Sequence, residues 1–473
     1  MRSVWRSGRA APLLVTVGSL ALAGCTSLIP AYQRPAAPVP STYAPEMTPA
    51  AAPGSEAAAD LEWQRFFADP RLRRLLALAL DNNRDLRIAV LNIEQARALY
   101  QVRRADELPG VGAGATAARQ PGLAGVSSSY AVGAAVTGYE LDLFGRVRAL
   151  SEAALNQYLA TAETRQAVQI SLIGAVASTY LAVLADDELL SVTRQTLATR
   201  EEGLRLIKLR FDAGASSELE FRQAESLLEA ARVALAQSLR QRALDENALQ
   251  LLVGQALPGD LPAPLPLDAQ QIPADLPSGL PSDLLARRPD LRAAEQLLLA
   301  AQANIGAARA AFFPRISLTA NLGTASSDLD GLFKSGSFAF TGTAQLLQPI
   351  FDHGRNRANL EVAQVNRDIA IAQYERSIQT AFREVSDALA GRATLGEQLR
   401  AQAAQVQALA VTYRLADLRY RAGAASFLDT LDAQRSLFAA QQALVQTQAL
   451  RLQNLVALYR VLGGGWKEAA AGG

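Results

Sequence analysis

The chain contains a helix-hairpin signature twice, and this internal duplication limits its fold more than any other feature. The stretch from Arg419 to Arg435 resembles the stretch from Arg210 to Glu225, and Gly423 matches Gly214 at an offset of 209 residues. In each copy a helical pattern stops at a Gly, which can take the left-handed conformation that ends a helix, and a new helical pattern follows. Each copy is therefore predicted to form a tight helical hairpin. The candidate N-caps of the returning helices are Ser216 or Ser217, and Ser426.

The duplication extends well beyond the hairpins. Asp85–Arg87 matches Asp290–Arg292 at an offset of 205, and Val253–Gly254 matches Leu462–Gly463 at an offset of 209. A repeated unit of about two hundred residues is far longer than the units of solenoid proteins. The sequence therefore predicts two pseudo-symmetric halves.

The first residues form a targeting segment that does not belong to the fold. A basic start is followed by an apolar run over 10–21 and by Leu22–Cys25, which resembles a bacterial lipobox. Cys25 is the only cysteine, so lipidation is favoured over an ordinary signal peptide, and the mature chain has no thiol for a disulfide or a metal. Thr26 follows in place of the Asp that retains lipoproteins at the inner membrane of enteric bacteria, which favours the outer membrane.

The segment after Cys25 is rich in Pro and Ala and reads as an extended tether. The net charge of the whole chain is +1, which does not point to nucleic acid as a partner. The predicted organisation is a lipoprotein signal peptide (1–24), a lipidated tether (25–60), a first repeat (61–257), a linker (258–281), a second repeat (282–465) and a tail (466–473).

Both repeats show the same predicted order of elements. The first has a helix over 70–104, candidate strands over 111–119 and 127–141, and a very long helix from Arg146. The second has a helix over 282–311, candidate strands over 315–324 and 337–348, and a long helix from Arg355. The strand at 315–324 has the clearest alternation of apolar and polar residues, and the other three depend mainly on the repeat.

The long helices carry apolar residues at intervals of seven, as in helices that pack side by side. A helix from Arg146 to Arg210 would extend roughly 95 Å at about 1.5 Å per residue. The uncharged run over 166–185 is long enough to span a membrane, but its Gln, Ser and Thr content favours a packed helix. Four short strands cannot close a barrel, and open edges are not tolerated in lipid. We therefore expect several copies to share one barrel.

Besides the duplicated hairpins, a further set of residues is distinctive: Trp63, Phe66, Phe67, Asp69, Pro70, Leu72, Ala79, Leu80, Asn83, Asp85, Leu86, Ala89 and Leu462–Trp466. In these residues the chain resembles the TolC-like outer-membrane efflux proteins, in particular their lipidated NodT/OprM-like branch. The resemblance spans nearly everything after the tether. It implies a mostly α-helical homotrimer with a shared twelve-stranded transmembrane β-barrel and a twelve-helix periplasmic α-barrel.

The resemblance also implies roles for residues near the hairpins. Leu428, Asp429 and Asp432 match a closed constriction of apolar and acidic rings, and Tyr420 and Glu220 match positions that hold the tip closed. Ala425 departs from relatives that have a basic latch residue there. Without the resemblance, the two aspartates would read simply as first-turn acids at a helix N-terminus. The tips that match docking sites for an adaptor protein are Ala213, Gly214, Ala215, Ala422, Gly423 and Ala424.

No nucleophile, base and orienting residue form a recognisable set, so we predict a passive conduit and not an enzyme. No cofactor or metal is expected, and His353, the only histidine, lies in a strand-to-helix connection. The resemblance implies a periplasmic adaptor (membrane fusion) protein, an inner-membrane resistance-nodulation-division transporter and outer-membrane lipid as partners. The alternatives are an exit channel for type I protein secretion and a non-channel coiled-coil lipoprotein scaffold.

Overall fold

A computed structural model of the chain describes residues 27–44, 57–122, 125–277, 279 and 281–467, so the predicted signal peptide and Cys25 lie outside the described residues. The first half contains α1 (Trp63–Phe66), α2 (Pro70–Asn82), α3 (Arg84–Ala105), β1 (Val111–Gly122), β2 (Gly125–Glu140), α4 (Arg146–Asp212) and α5 (Glu218–Val253). The second half contains α6 (Pro281–Arg287), α7 (Pro289–Ala310), β3 (Arg315–Ser326), β4 (Phe338–Leu347), α8 (Arg355–Arg421) and α9 (Phe427–Val461). Short 3₁₀ helices span Leu267–Ala269 and Leu329–Gly331. The repeated order of helix, two strands and long hairpin confirms the predicted duplication.

The two long helices are the dominant elements of the chain. α4 and α8 each contain 67 residues, which corresponds to roughly 100 Å at 1.5 Å per residue. Of the helices in the described residues, α4 alone includes a window apolar enough to cross a membrane, and 61% of that window is buried. This burial agrees with the prediction of a packed helix over 166–185.

The predicted single helices over 70–104 and 282–311 are wrong, because each is two helices with a break. α2 ends before Asn83, whose backbone is extended. The Asn83 side chain accepts a hydrogen bond from the Leu86 N–H at 2.9 Å and donates one to the Leu252 carbonyl at 2.9 Å. In the second half α6 ends before Arg288, because a proline at 289 disfavours helical geometry in the residue before it. The two breaks are equivalent positions of the repeat.

The four strands form one antiparallel sheet in the order β1-β2-β3-β4. β2 and β3 come from different halves of the chain, and their register places Gly133 opposite Gly323. Within this sheet β1 and β4 are edge strands, each paired on one side. Several large apolar side chains of the strands are exposed: Val111, Leu322, Phe338, Phe340, Leu346 and Leu347. The sheet therefore needs both a pairing partner at its edges and an apolar surrounding.

The described residues divide into two compact units, and the boundary passes through the long helices. The first unit contains 27–36, Leu91–Glu163 and Arg292–Arg376, which include the sheet. The second contains 37–44, 57–90, Thr164–Leu291 and 377–467, which include both hairpins.

The predicted tether has no regular secondary structure in its described residues, but it is fastened to the fold. In the first unit Glu295 accepts hydrogen bonds from the Tyr32 hydroxyl at 2.8 Å and from two nitrogens of Arg34 at 2.8 Å each. Gln302 on the same helix donates to the Pro30 carbonyl at 2.7 Å. In the second unit the ring of Tyr43 stacks on Phe382 of α8 at 5.2 Å.

An aromatic cluster forms part of the core of the second unit. The ring of Tyr459, on α9, stacks on Phe66 with centroids 3.9 Å apart and meets Phe67 edge to face at 6.2 Å. The Tyr459 hydroxyl donates a hydrogen bond to the Leu61 carbonyl at 2.6 Å. All three rings are 1% exposed or less. The C-terminal helix is thereby joined to the segment that starts the first repeat.

Asp69 organises a second junction in this unit. One carboxylate oxygen caps α2 by accepting from the N–H of Arg71 at 2.8 Å and of Leu72 at 3.3 Å. The other accepts from the Tyr180 hydroxyl at 2.7 Å and from the Gln270 amide at 2.8 Å. The Asp-Pro pair thus connects α2, α4 and the linker between the repeats.

Asp186 is a buried acid on α4, where it faces acidic neighbours. It is 7% exposed. Burial raises its pKa to about 7, and the carboxylates of Asp245 and Asp187 add to this effect. Arg242 of α5 donates instead to Asp187, at 2.6 Å. Because the folded protein holds this proton more tightly than the unfolded chain, stability should fall as pH rises from the ordinary value of 3.8 through about 7.

We therefore expect Asp186→Asn to raise the thermal unfolding midpoint by a few degrees at pH 8 and to have a smaller effect at pH 5. The amide keeps the shape of the side chain but never carries the buried charge. Thermal unfolding at the two pH values measures this difference. Asp187→Asn is the control, since it removes the exposed ion pair with Arg242 and should lower the midpoint. An Asp186→Asn effect of equal size at both pH values would contradict the prediction.

Candidate functional site

Both hairpin tips are built by the same backbone motif. Gly214 and Gly423 have φ values of 74° and 71°, in the left-handed region, as predicted. In the first tip the Ala215 N–H donates to the Arg210 carbonyl at 2.7 Å, and the equivalent bond in the second tip is 2.8 Å. This bond across five residues closes the helix end in a Schellman motif. The helices therefore stop at the glycines and the chain reverses.

Side-chain caps then start the returning helices, but they differ between the two tips. Ser217, and not Ser216, caps α5, and it forms a reciprocal capping box with Glu220 at 3.2 and 3.3 Å. The Ser216 hydroxyl also donates to the Glu220 carboxylate. Ser426 caps α9 through the Asp429 N–H at 3.4 Å. Glu220 is therefore engaged in local capping, whereas its counterpart Asp429 remains exposed.

The six small residues predicted as docking positions are all exposed: Ala213, Gly214, Ala215, Ala422, Gly423 and Ala424. Side chains of this size leave the backbone of each tip accessible to a partner. The arrangement suits close contact between a tip and another protein.

Gly423→Ala should destabilise the second hairpin by about 1 kcal/mol, because an L-residue is strained in the left-handed region. A Cβ at this position would meet no atom within 4 Å, so the effect isolates the backbone. Gly396→Ala is the matched control, since Gly396 lies inside α8 with equally open surroundings. There alanine should stabilise the helix slightly. Amide hydrogen exchange around the second tip measures the first effect, and equal exchange in both variants would contradict it.

The predicted constriction residues lie together on one exposed face at the start of α9. Leu428 is 45% exposed, and Asp429 and Asp432 are also exposed. Their neighbours Phe427 and Leu431 point the other way and are buried. A spacing of four residues places Leu428 and Asp432 on the same side of the helix. This first turn therefore presents one apolar and two acidic side chains outward.

Of the two acids on this face, Asp432 alone forms an ion pair among the described residues. Asp432 forms an ion pair with Arg435 at 3.3 Å, one turn along the same helix. In the described part of the chain no group of His, Cys, Asp and Glu is arranged to hold a metal ion.

Tyr420 and Glu220, both predicted to hold the tip closed, contact different partners in this structure. The Tyr420 ring lies 4.9 Å from the Arg210 guanidinium and 5.0 Å from the Phe427 ring. Glu220 forms hydrogen bonds with Ser216 and Ser217. The structure thus identifies Arg210, which the sequence reading missed, as the contact of Tyr420 on the other hairpin. The alignment of the two repeats matches Arg210 with Arg419, so the repeat does not predict a contact between Arg210 and Tyr420.

The two hairpins share a small apolar core directly behind the exposed face. Leu204, Phe221 and Tyr420 pack around it. These contacts fix the orientation of the first turn of α9 and hence of its exposed acids. The buried members of this core are Ile207, Ala224, Leu227, Phe427 and Leu431.

Comparison with known sequences gives consistent matches over nearly the whole chain. The family described as outer membrane efflux protein matches residues 75–255 and 280–464. The toluene efflux pump outer membrane protein TtgF of Pseudomonas putida is 50% identical over 467 residues, which is 96% of each chain. The outer membrane protein OprJ of Pseudomonas aeruginosa is 46% identical over 459 residues, which is 94% of each chain.

Solved structures of similar chains have the same fold. The open state of the MtrE outer membrane channel of Neisseria gonorrhoeae superposes with a TM-score of 0.86 at 43% identity, covering 93% of this chain and 99% of that one. The CmeC outer membrane channel of Campylobacter jejuni gives a TM-score of 0.85 at 26% identity, covering 93% and 95%. Both matches therefore cover nearly the whole of each chain.

Proposed function

Because the chain belongs to the outer membrane efflux protein family, we propose that three copies form the passive exit duct of a tripartite pump that removes small toxic compounds. The protein is an outer-membrane component of an efflux system, and the duct spans the membrane as a barrel and continues into the periplasm as helices. The two repeats, at 61–257 and 282–465, supply equivalent arms of each copy. Cys25 carries the lipid that anchors the N-terminus in the outer membrane.

The main support for the trimer is the four-stranded sheet, which has two unpaired edges. The outer edges of β1 and β4 have no strand partner within the described part of the chain. In lipid, each backbone N–H or C=O group that lacks a hydrogen bond costs several kcal/mol. Pairing β1 of one copy with β4 of the next removes every edge, and three copies give twelve strands. The exposed apolar side chains of the strands, including Phe338 and Phe340, then face lipid.

The long helices supply the periplasmic part of the duct. Each copy contributes two helices of 67 residues and their two returning arms, so three copies give twelve helices side by side. The exposed small residues of both tips receive a periplasmic adaptor protein. An inner-membrane resistance-nodulation-division transporter supplies the energy, because the duct itself has no catalytic role.

The narrowest point of this duct lies at the first turn of α9. Three-fold symmetry turns Leu428, Asp429 and Asp432 into three rings, one apolar and two acidic. Six carboxylates close together repel one another and attract cations, as in the charged rings of cation channels. Tyr420 and Glu220 support this closed tip from within each copy, Tyr420 through Arg210 and Glu220 through the cap of α5.

The names of similar proteins favour drug or solvent efflux over protein secretion. TtgF, at 50% identity, is named as part of a toluene efflux pump. A wide wet duct contributes little selectivity of its own, so the transporter chooses the cargo.

The test combines reconstitution with a deletion. The purified protein should have the mass of a trimer in detergent and should produce discrete conducting events in a planar bilayer. Deletion of its gene should sensitise cells to small toxic compounds and increase retention of a fluorescent pump substrate, and the restored gene should reverse both. A folded trimer that never conducts would favour the scaffold alternative. Loss of one secreted protein without any change in drug sensitivity would favour type I secretion.

A further inference from the structure

A cleft of about 740 Å³ lies between the two hairpins, behind the exposed face of α9. This volume falls within the range of about 300–1,000 Å³ that is usual for small-molecule sites. Much of its wall is apolar, and Leu204, Leu227, Phe427 and Leu431 contribute to it. A pocket of this kind needs only a few polar groups to orient a ligand. The polar groups of the cleft are therefore informative.

Arg200 of α4 is the most unusual of these groups. It is 5% exposed, and its Nη1 donates to the Leu227 carbonyl at 2.8 Å. Its guanidinium lies 5.2 Å from the Phe438 ring, while its Nε is buried without a hydrogen-bond partner. Burial and the nearby Arg435 lower the pKa of Arg200. A buried guanidinium that has no carboxylate beside it is costly, which makes it a strong attractor for an anion.

Two further hydrogen-bond donors line the same cleft. Thr430 of α9 is 3% exposed, and its hydroxyl has no partner. The Tyr413 hydroxyl accepts from the Gln434 amide at 2.9 Å, so its own proton remains available to donate. Arg200, Thr430 and Tyr413 belong to three different helices, α4, α9 and α8. All three residues line one cavity, although Arg200 is more than two hundred residues from the other two in sequence.

The acids of the lining do not neutralise these cations. Asp417 is paired with Arg421 at 2.8 Å, and Glu202 with Arg205 at 2.6 Å. Arg210, which also lines the cleft, contacts the Tyr420 ring and forms no ion pair among the described residues. Arg200 and Arg210 therefore leave the cleft with uncompensated positive charge.

We propose that this cleft binds a small organic anion whose carboxylate contacts Arg200 and Thr430 and whose apolar body packs against Leu204, Phe427 and Leu431. An inorganic anion would satisfy the donors but would leave the apolar walls uncovered. A bound carboxylate would connect α4 with the first turn of α9 and brace the tip in the arrangement seen here. The inference rests on the walls and donors of one chain and does not depend on the proposed channel.

Calorimetric titration of the full-length purified protein with benzoate tests the site. We expect saturable binding of benzoate, and much weaker binding of the uncharged benzyl alcohol and of acetate, which lacks the apolar body. Arg200→Gln should weaken benzoate binding by roughly tenfold or more, since it removes a charge-assisted bond. Thr430→Val should weaken it several-fold without changing the side-chain volume much. Arg232→Gln, an exposed arginine of α5 that lies outside the cleft lining, is the control and should bind benzoate as the wild type does.

Three results would overturn the proposal. They are the absence of saturable benzoate binding, binding of benzyl alcohol as tight as that of benzoate, and equal weakening of benzoate binding by Arg232→Gln and Arg200→Gln. If Arg200→Gln does not fold, benzoate binding by Thr430→Val and Tyr413→Phe tests the proposal. Tyr413→Phe removes a hydroxyl and Thr430→Val replaces one with a methyl group, so both largely preserve the packing. The proposal would also be refuted if the cleft bound no small anion but bound an acidic segment of a partner protein. Channel conductance is measured separately, so failure here is distinguishable from failure of the proposed function.

Discussion

Replacing Asp429 and Asp432 together with alanine is expected to raise the single-channel conductance of the purified oligomer several-fold. In the proposed trimer these residues place six carboxylates at the narrowest point, where they hold cations and narrow the opening. Alanine removes both the charge and most of the side chain. Because both residues are exposed and lie outside the apolar core of the hairpins, the substitution should leave folding intact.

Planar-bilayer recordings of wild type and variant at matched salt give the comparison directly. The matched control is Glu225→Ala with Glu229→Ala, which removes a half-buried and an exposed acid from α5, each paired with an arginine on its own helix. That variant should conduct like the wild type. The cation preference of the wild type should also fall in the aspartate variant. Equal conductance in the wild type and both variants would place the constriction elsewhere.

The largest stability effect is expected for Tyr459→Ala, which should lower the free energy of unfolding by about 3–5 kcal/mol. The side chain is 1% exposed and packs against Phe66 and Phe67, so alanine leaves a cavity between α9 and α1. It also removes the donor to the Leu61 carbonyl. Nothing at this site can easily close the gap, since both neighbouring rings are themselves buried.

Tyr459→Phe separates the ring from its hydroxyl. It keeps the stacking and removes one hydrogen bond, so the expected loss is only about 1 kcal/mol. Denaturant-dependent loss of helical circular dichroism in detergent measures both variants against the wild type. If alanine costs no more than phenylalanine, the aromatic cluster does not stabilise the fold and the prediction is wrong.

Much of the fold could be predicted from the sequence because the chain repeats itself. The repeat is the main support for the strand candidates at 111–119, 127–141 and 337–348, and strands are present at all three. The glycines at 214 and 423 predicted both helix ends correctly, since a left-handed residue at a helix end is a local property. The breaks at Asn83 and Arg288 were missed, because the helical periodicity continues through them. At Asn83 the extended backbone is supported by a contact with Leu252, which is distant in sequence.

Some features of the candidate site could likewise be predicted from the sequence, and others could not. The exposure of Leu428, Asp429 and Asp432 agrees with their helical spacing, because Phe427 and Leu431 supply the buried side of the same turn. The contact of Tyr420 with Arg210 follows no sequence pattern, and neither does the presence of Arg200 and Thr430 in the lining of one cleft, because each joins residues of different hairpins.

By itself, therefore, the sequence determined the duplicated architecture and the helix ends at the two tips, and it supplied the residues that we propose for a gate. These depend on interactions between near neighbours along the chain, which composition and spacing record. Only the tertiary structure decided how the tether is fastened, which partner Tyr420 contacts, and that two arginines enclose a cleft without an acid to balance them. Such features depend on side chains from helices and segments that are distant in sequence, and their energy comes from burial, which no local pattern encodes.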